Sequence, residues 1–95
     1  MAAAARFGDR CTGHGCFPSR PNAEGSPTVF VNGRGWHRVG DGWQPHGCAV
    51  CPPHGGALAQ GSNTVFVNGR PAGRVGDPVD CGSRVAEGAL DVFAG

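Results

Sequence analysis

The chain contains no lysine, no isoleucine and no tyrosine, and only two leucines and one methionine among its 95 residues. Ten Val and five Phe are the other large aliphatic or Phe side chains, thin material for a hydrophobic core. Domains this small often depend on a metal or on disulfides. Without lysine, eight Arg face seven acids, for a formal net charge of +1. That leaves no basic excess to follow a phosphate backbone, so no nucleic-acid partner is expected. No stretch approaches the roughly 18 apolar residues of a membrane span, so no stable membrane insertion is expected. The opening MAAAARFGD has neither a charged n-region nor a continuous apolar run, so no signal peptide is expected. The near-neutral charge also removes the repulsion that keeps disordered chains open.

What the chain has in excess is turn formers and metal-ligand side chains: 18 Gly, eight Pro, five Cys and four His. A folded, turn-rich all-β domain accounts for this composition. An odd cysteine count argues against a simple disulfide framework. Thiols that start out reduced make metal binding the more natural use of the inventory.

The chain repeats itself. Residues 25–41 read GSPTVFVNGRGWHRVGD and residues 61–77 read GSNTVFVNGRPAGRVGD, identical at 13 of 17 positions with an offset of 36. In each copy Asn-Gly separates two β-prone runs, which predicts type I′ hairpins at Asn32-Gly33 and Asn68-Gly69. A degenerate third copy is divided between the ends: Gly88–Gly95 echoes the strand, and Arg6-Phe7-Gly8-Asp9 echoes RVGD. Joined, the ends would complete a closed pseudo-threefold object with meeting termini and no open sheet edge.

Candidate metal ligands follow each RxGD. His14 stands five residues after Asp9, His46 five after Asp41, and Cys81 four after Asp77, while His54 lies in HGCAVCPPH. Equivalent points of three repeats converge on a threefold axis. Three His with one Cys make the closed tetrahedral set that zinc prefers in structural sites. A site recruiting Cys48 or Cys51, which form a CxxC, is the competing reading; otherwise these two are loop thiols or a late disulfide. His37 has Gly73 as its repeat counterpart and reads as a surface residue.

These motifs together, RFGD, HGCFPSRP, GSxTVFVNG, RVGD and DPVDCGS, resemble the PAAR-repeat proteins of the type VI secretion spike tip. The resemblance spans nearly the whole chain. It implies an all-β, conical, pseudo-threefold arrangement of hairpins with long loops, stapled by one structural zinc ion. On the family pattern the ligands are His14, His46, His54 and Cys81. It further implies a non-enzymatic protein, residues 1–95 forming a single PAAR domain with no fused effector domain. One chain would cap a trimeric spike protein of the VgrG type, aid membrane puncture and connect to cargo effectors. The expected location is the cytoplasm before firing and the target cell after it. A zinc hydrolase or a small zinc-binding adaptor are the alternative functions.

Three further expectations concern packing. Phe30, Phe66 and Phe93 are expected to fill a small core, with a place on the docking base as the alternative. Arg6, Arg38 and Arg74 are expected to pair with Asp9, Asp41 and Asp77, or these acids to cap turns. Trp36 and Trp43 suit either an interface or a core, and Pro52-Pro53 stiffens the approach to His54.

Overall fold

A computed structural model describes residues 1–49 and 51–95. Among the described residues it contains eight short strands and no helix. The strands are β1 (Ala2–Ala3), β2 (Phe30–Val31), β3 (Arg34–Gly35), β4 (His46–Cys48), β5 (Cys51–His54), β6 (Phe66–Val67), β7 (Arg70–Pro71) and β8 (Phe93–Ala94). They form four antiparallel pairs, β1–β8, β2–β3, β4–β5 and β6–β7.

The repeats fold as their turn chemistry dictates. Asn32 and Gly33 have φ of 53° and 76°, and Asn68 and Gly69 have 54° and 79°, the double positive φ of a type I′ turn. The termini do meet: Ala3 pairs with Phe93 and Ala2 with Ala94. This is the register of Gly35 with Phe30 and Arg34 with Val31, so the third hairpin is complete although its turn is a chain break. Each RxGD is a turn closed by the Asp N–H donating to the Arg carbonyl at 2.9–3.1 Å. Its third residue, Gly8, Gly40 or Gly76, has φ of 86–93°, which a side chain would strain.

The units join cyclically. Arg6 bridges to Trp36, Arg38 to Ala72 and Arg74 to Ala4, each linking one unit to the next around a pseudo-threefold axis. On that axis Ala5, His37 and Gly73 form a triangle of backbone bonds. His37 N–H donates to Ala5 O at 2.9 Å, Gly73 N–H to His37 O at 2.7 Å, and Ala5 N–H to Gly73 O at 3.0 Å. His37 is therefore no surface residue; it is 0% exposed. The axis has room for one large side chain because the other two units supply Ala and Gly. A Cβ on Gly73 would come within 2.7 Å of His37 O and 2.9 Å of Leu58 Cδ2.

Two small apolar clusters result. Ala5, Cys11, Trp43, Leu58, Val79 and Val85 make one, with Val39, Val75 and Cys81 against it. Ala4, Val31 and Ala89 make the other, flanked by Trp36 and Val92. The phenylalanines do not fill them. Phe30, Phe66 and Phe93 are 60%, 58% and 48% exposed, while their strand neighbours Val31, Val67 and Ala94 are buried. Strand alternation sends the neighbouring Val or Ala inward at each hairpin and leaves the phenyl ring on the outer face. The molecule is elongated, 39 × 23 × 22 Å.

The expected Arg–Asp pairs form within each unit. Arg38 grips Asp41 with Nε at 2.9 Å and Nη2 at 3.0 Å while its backbone N–H donates at 3.0 Å. Arg6–Asp9 and Arg74–Asp77 repeat this. A second arginine reaches across units, Arg34 to Asp9 and Arg70 to Asp41, both at 3.1 Å. Burial pushes the Asp41 carboxyl up, but hydrogen bonds from Arg38 outweigh it and hold it below its ordinary value.

Candidate metal centre

The segments after the RxGD turns converge. β4 and β5 bring His46 opposite His54. His14 is fixed by reciprocal backbone bonds with Phe17 at 3.0 and 2.9 Å. Cys81 sits in the turn closed by Gly82 N–H to Val79 O at 3.1 Å, where Gly82 has φ of 105°. The ligand atoms of His14, His46, His54 and Cys81 lie within 4.8 Å of one another, a group that could hold a metal ion.

The donor chemistry fits a cation. His54 Nε2 lies 3.1 Å from His14 Nε2 and 2.8 Å from His46 Nε2. Three ring nitrogens facing one point cannot be satisfied by one another, because a shared proton serves only two of them. His46 Nδ1 is 2.7 Å from Pro18 O and so carries the proton, leaving the Nε2 lone pair free toward the group. Burial, with His46, His14 and Arg20 alongside, pushes the His54 ring below its ordinary value and keeps it neutral. A tetrahedral ion with metal–nitrogen bonds of about 2.0–2.1 Å spaces its nitrogens about 3.3 Å apart, close to the separations present.

Sequence reasoning missed two supporting residues. The Phe17 ring packs, tilted, against all three imidazoles, with centroids 4.3–5.0 Å away, and limits their rotation. The buried Arg20 guanidinium donates to Cys81 Sγ at 3.3 Å and Cys11 Sγ at 3.1 Å. It also donates to Gln44 O at 2.8 Å and lies 5.2 Å over the Trp43 ring. Burial pushes the Cys11 thiol up, but hydrogen bonds from Arg20 overcome this and bring it below its ordinary value. The adjacency of Arg20 to HGCFPS was the only sequence signal available for it.

Cys48 and Cys51 belong to a different group. Cys16 and Cys48 form a disulfide, with Cα atoms 5.6 Å apart, and Cys51 is free and exposed. The structure thus contains a disulfide despite the odd count, and the partner of Cys48 is Cys16 rather than the CxxC neighbour. The two glutamates bond to backbone: Glu24 accepts from Gly42 N–H at 2.6 Å and Glu87 from Arg10 N–H at 3.0 Å. Neither belongs to the ligand group.

Comparison with curated proteins gave no match. The family model described as the PAAR motif matches residues 23–87, which takes in both full repeats, three of the four clustered ligands and the axial ring's His37 and Gly73. The motif is associated with type VI secretion spike tips, where its proteins are structural rather than enzymatic. A closed threefold of hairpins with a His/Cys group behind its RxGD turns agrees with that match, and the chain belongs to the PAAR-motif family.

Proposed function

We propose that this protein is the structural tip of a type VI secretion spike, one chain capping a trimeric spike protein of the VgrG type. The observation that carries this reading is the exposure of Phe30, Phe66 and Phe93, equivalent residues on three equivalent hairpins of a single chain. An apolar side chain repeated about a threefold axis is what a single chain needs to match three identical subunits. Exposed aromatic side chains are the usual anchors of such contacts. The whole of residues 1–95 acts as one PAAR domain, tapering as a cone from the hairpins toward the His/Cys group.

One structural Zn2+ is held by His14, His46, His54 and Cys81. Four protein ligands close the shell, so the ion staples three chain segments rather than activating water. Metal binding in small domains contributes on the order of 10–16 kcal/mol of apparent free energy, comparable to a whole domain's stability. A tip so stapled resists unfolding while driven through an envelope. It resides in the cytoplasm before firing, is delivered with the spike, and carries cargo effectors as further partners.

Native mass spectrometry of the chain mixed with a trimeric spike protein of the VgrG type tests this. The expected species is one chain on three spike subunits, with one extra zinc mass. A metal-loaded chain that forms no complex, or one with another stoichiometry, overturns the capping role.

A further inference from the structure

The three strand and turn segments that carry the imidazoles also carry a second set of donors. HGC occurs twice, His14-Gly15-Cys16 and His46-Gly47-Cys48, at equivalent points of two repeats. Across β4 and β5, His46 faces His54 and, further along, Cys48 faces Cys51. Each histidine of the metal group therefore has a cysteine two or three residues from it. The sulfurs of Cys16, Cys48 and Cys51 lie within 4.8 Å of one another.

Backbone pairing contributes to these positions alongside the Cys16–Cys48 bond. Cys48 and Cys51 are paired by β4–β5, and Cys16 lies between His14 and Phe17, which exchange two backbone hydrogen bonds. Pro52 and Pro53 restrict the chain between Cys51 and His54. None of the three is needed for the zinc staple, and all lie within a solvent-reachable layer: Cys16 and Cys51 are exposed and Cys48 is half-buried.

We propose that, when reduced, Cys16, Cys48 and Cys51 form a second metal site, a three-thiolate site for a soft cation of the Cu(I) or Cd2+ class. The Cys16–Cys48 disulfide is the metal-free, oxidised form of the same site. Three thiolates select soft cations over hard ones. Closing the disulfide takes two electrons from the Cys16 and Cys48 sulfurs. With a small-molecule disulfide RSSR as oxidant, the Cys16 thiolate displaces one RS−, and the Cys48 thiolate then attacks Cys16 Sγ and displaces the second. RSSR leaves as two thiolates, which take up protons from water, the bound ion is released, and Cys51 stays reduced.

The test is a Cd2+ titration of the whole zinc-loaded chain, first reduced with a phosphine and desalted without oxygen, then followed by native mass spectrometry and thiolate-to-cadmium absorbance. Reduced wild type is expected to bind two ions in total, and the disulfide form one. Cys51→Ser should lose the second ion and keep the first, while Cys81→Ser should do the reverse. The wild-type comparison of the two redox forms needs no substitution, so a misfolded variant does not blunt the test. Equal metal counts in the reduced and oxidised chain overturn the second site. The counts do not depend on binding to a spike, and the Cys81→Ser arm reports separately on the zinc staple.

Discussion

The backbone N–H of Gly73 donates to the carbonyl of His37 at 2.7 Å, one edge of a triangle in which Ala5 is the third corner. The three positions are equivalent in the repeat, yet they hold a glycine, an alanine and an imidazole. A threefold backbone thus coexists with an asymmetric filling of its axis, since three large side chains would not fit there. The His37 ring occupies that space, its Nδ1 2.7 Å from Glu24 O and its centroid 5.1 Å from that of Trp43, edge to face.

Truncating that ring should cost stability and leave metal binding alone. His37→Ala empties the axial space beside Trp43 and frees the Glu24 carbonyl. A loss of about 2–4 kcal/mol is expected, within the range for large-to-small core changes. Thermal unfolding together with metal analysis checks this. An unchanged Tm would return His37 to the surface role that its glycine counterpart first suggested.

The same ring sets a pH dependence. Burial pushes His37 below its ordinary value, against smaller opposing effects from Glu24 and Asp41. The folded protein keeps the ring neutral where the unfolded chain already takes up a proton, below about pH 6.5. The stability from a neutral His37 is therefore complete above that pH and is lost as pH falls through and below it. The advantage of wild type over His37→Ala should shrink between about pH 7 and pH 5. The clustered His14, His46 and His54 are present in both proteins and drop out of the difference. An advantage that stays constant or grows on acidification would contradict the assignment.

The fold was legible in the sequence wherever a turn or a repeat encoded it. Asn32-Gly33 and Asn68-Gly69 announced their hairpins, and the echoes at the two ends announced the closing one. The convergence of His14, His46 and Cys81 followed from repeat position, and His54 was read from its place in HGCAVCPPH. Burial was not legible at Phe30 or His37. Hydrophobicity suggests that Phe goes inward, but strand register turns Val31, Val67 and Ala94 inward instead. For His37 the glycine counterpart was read as evidence of exposure, when a glycine opposite is what makes room for an imidazole. The Cys16–Cys48 bond also lay beyond sequence, because local spacing favours the CxxC and only the tertiary fold brings Cys16 near.

The third unit lacks one charge. Arg34 and Arg70 each reach an aspartate of the adjoining unit, but Ala2 stands at their position in the split hairpin, so among the described residues Asp77 pairs with Arg74 alone. Ala2→Arg should supply the missing pair. Arg34 and Arg70 are about two-fifths exposed, so the gain is limited to about 0.2–1 kcal/mol, a rise in Tm of a few degrees at most. A double-mutant cycle with Asp77→Asn isolates the pair. A gain that survives Asp77→Asn would show that Ala2→Arg acts elsewhere.

Removing the metal should unmake the staple. Chelation, or Cys81→Ser, is expected to lower Tm by on the order of 20 °C, because only a thin apolar core is left to hold the three segments. In Cys81→Ser one of the four candidate ligands is gone and the Arg20 guanidinium also loses its sulfur partner at 3.3 Å, so chelator should add little to that variant. Unfolding curves with and without chelator, run on both proteins, decide the matter. A chelator effect of equal size in Cys81→Ser would remove Cys81 from the ligand set.

Docking through the hairpins predicts equivalence among three residues far apart in sequence. Phe30→Asp, Phe66→Asp and Phe93→Asp should each weaken capture of the trimeric spike about tenfold or more, since each puts a charge into a contact meant to be dry. Because all three side chains are about half or more exposed, Tm should move by no more than the equivalent of about 0.5 kcal/mol. Phe7 is the control: it is 49% exposed but lies in an RxGD turn, outside the hairpins. Phe7→Asp should leave capture unchanged. Titration calorimetry against the purified trimer separates the cases. A loss confined to one phenylalanine would point to an asymmetric contact and would count against one chain capping three subunits about a common axis.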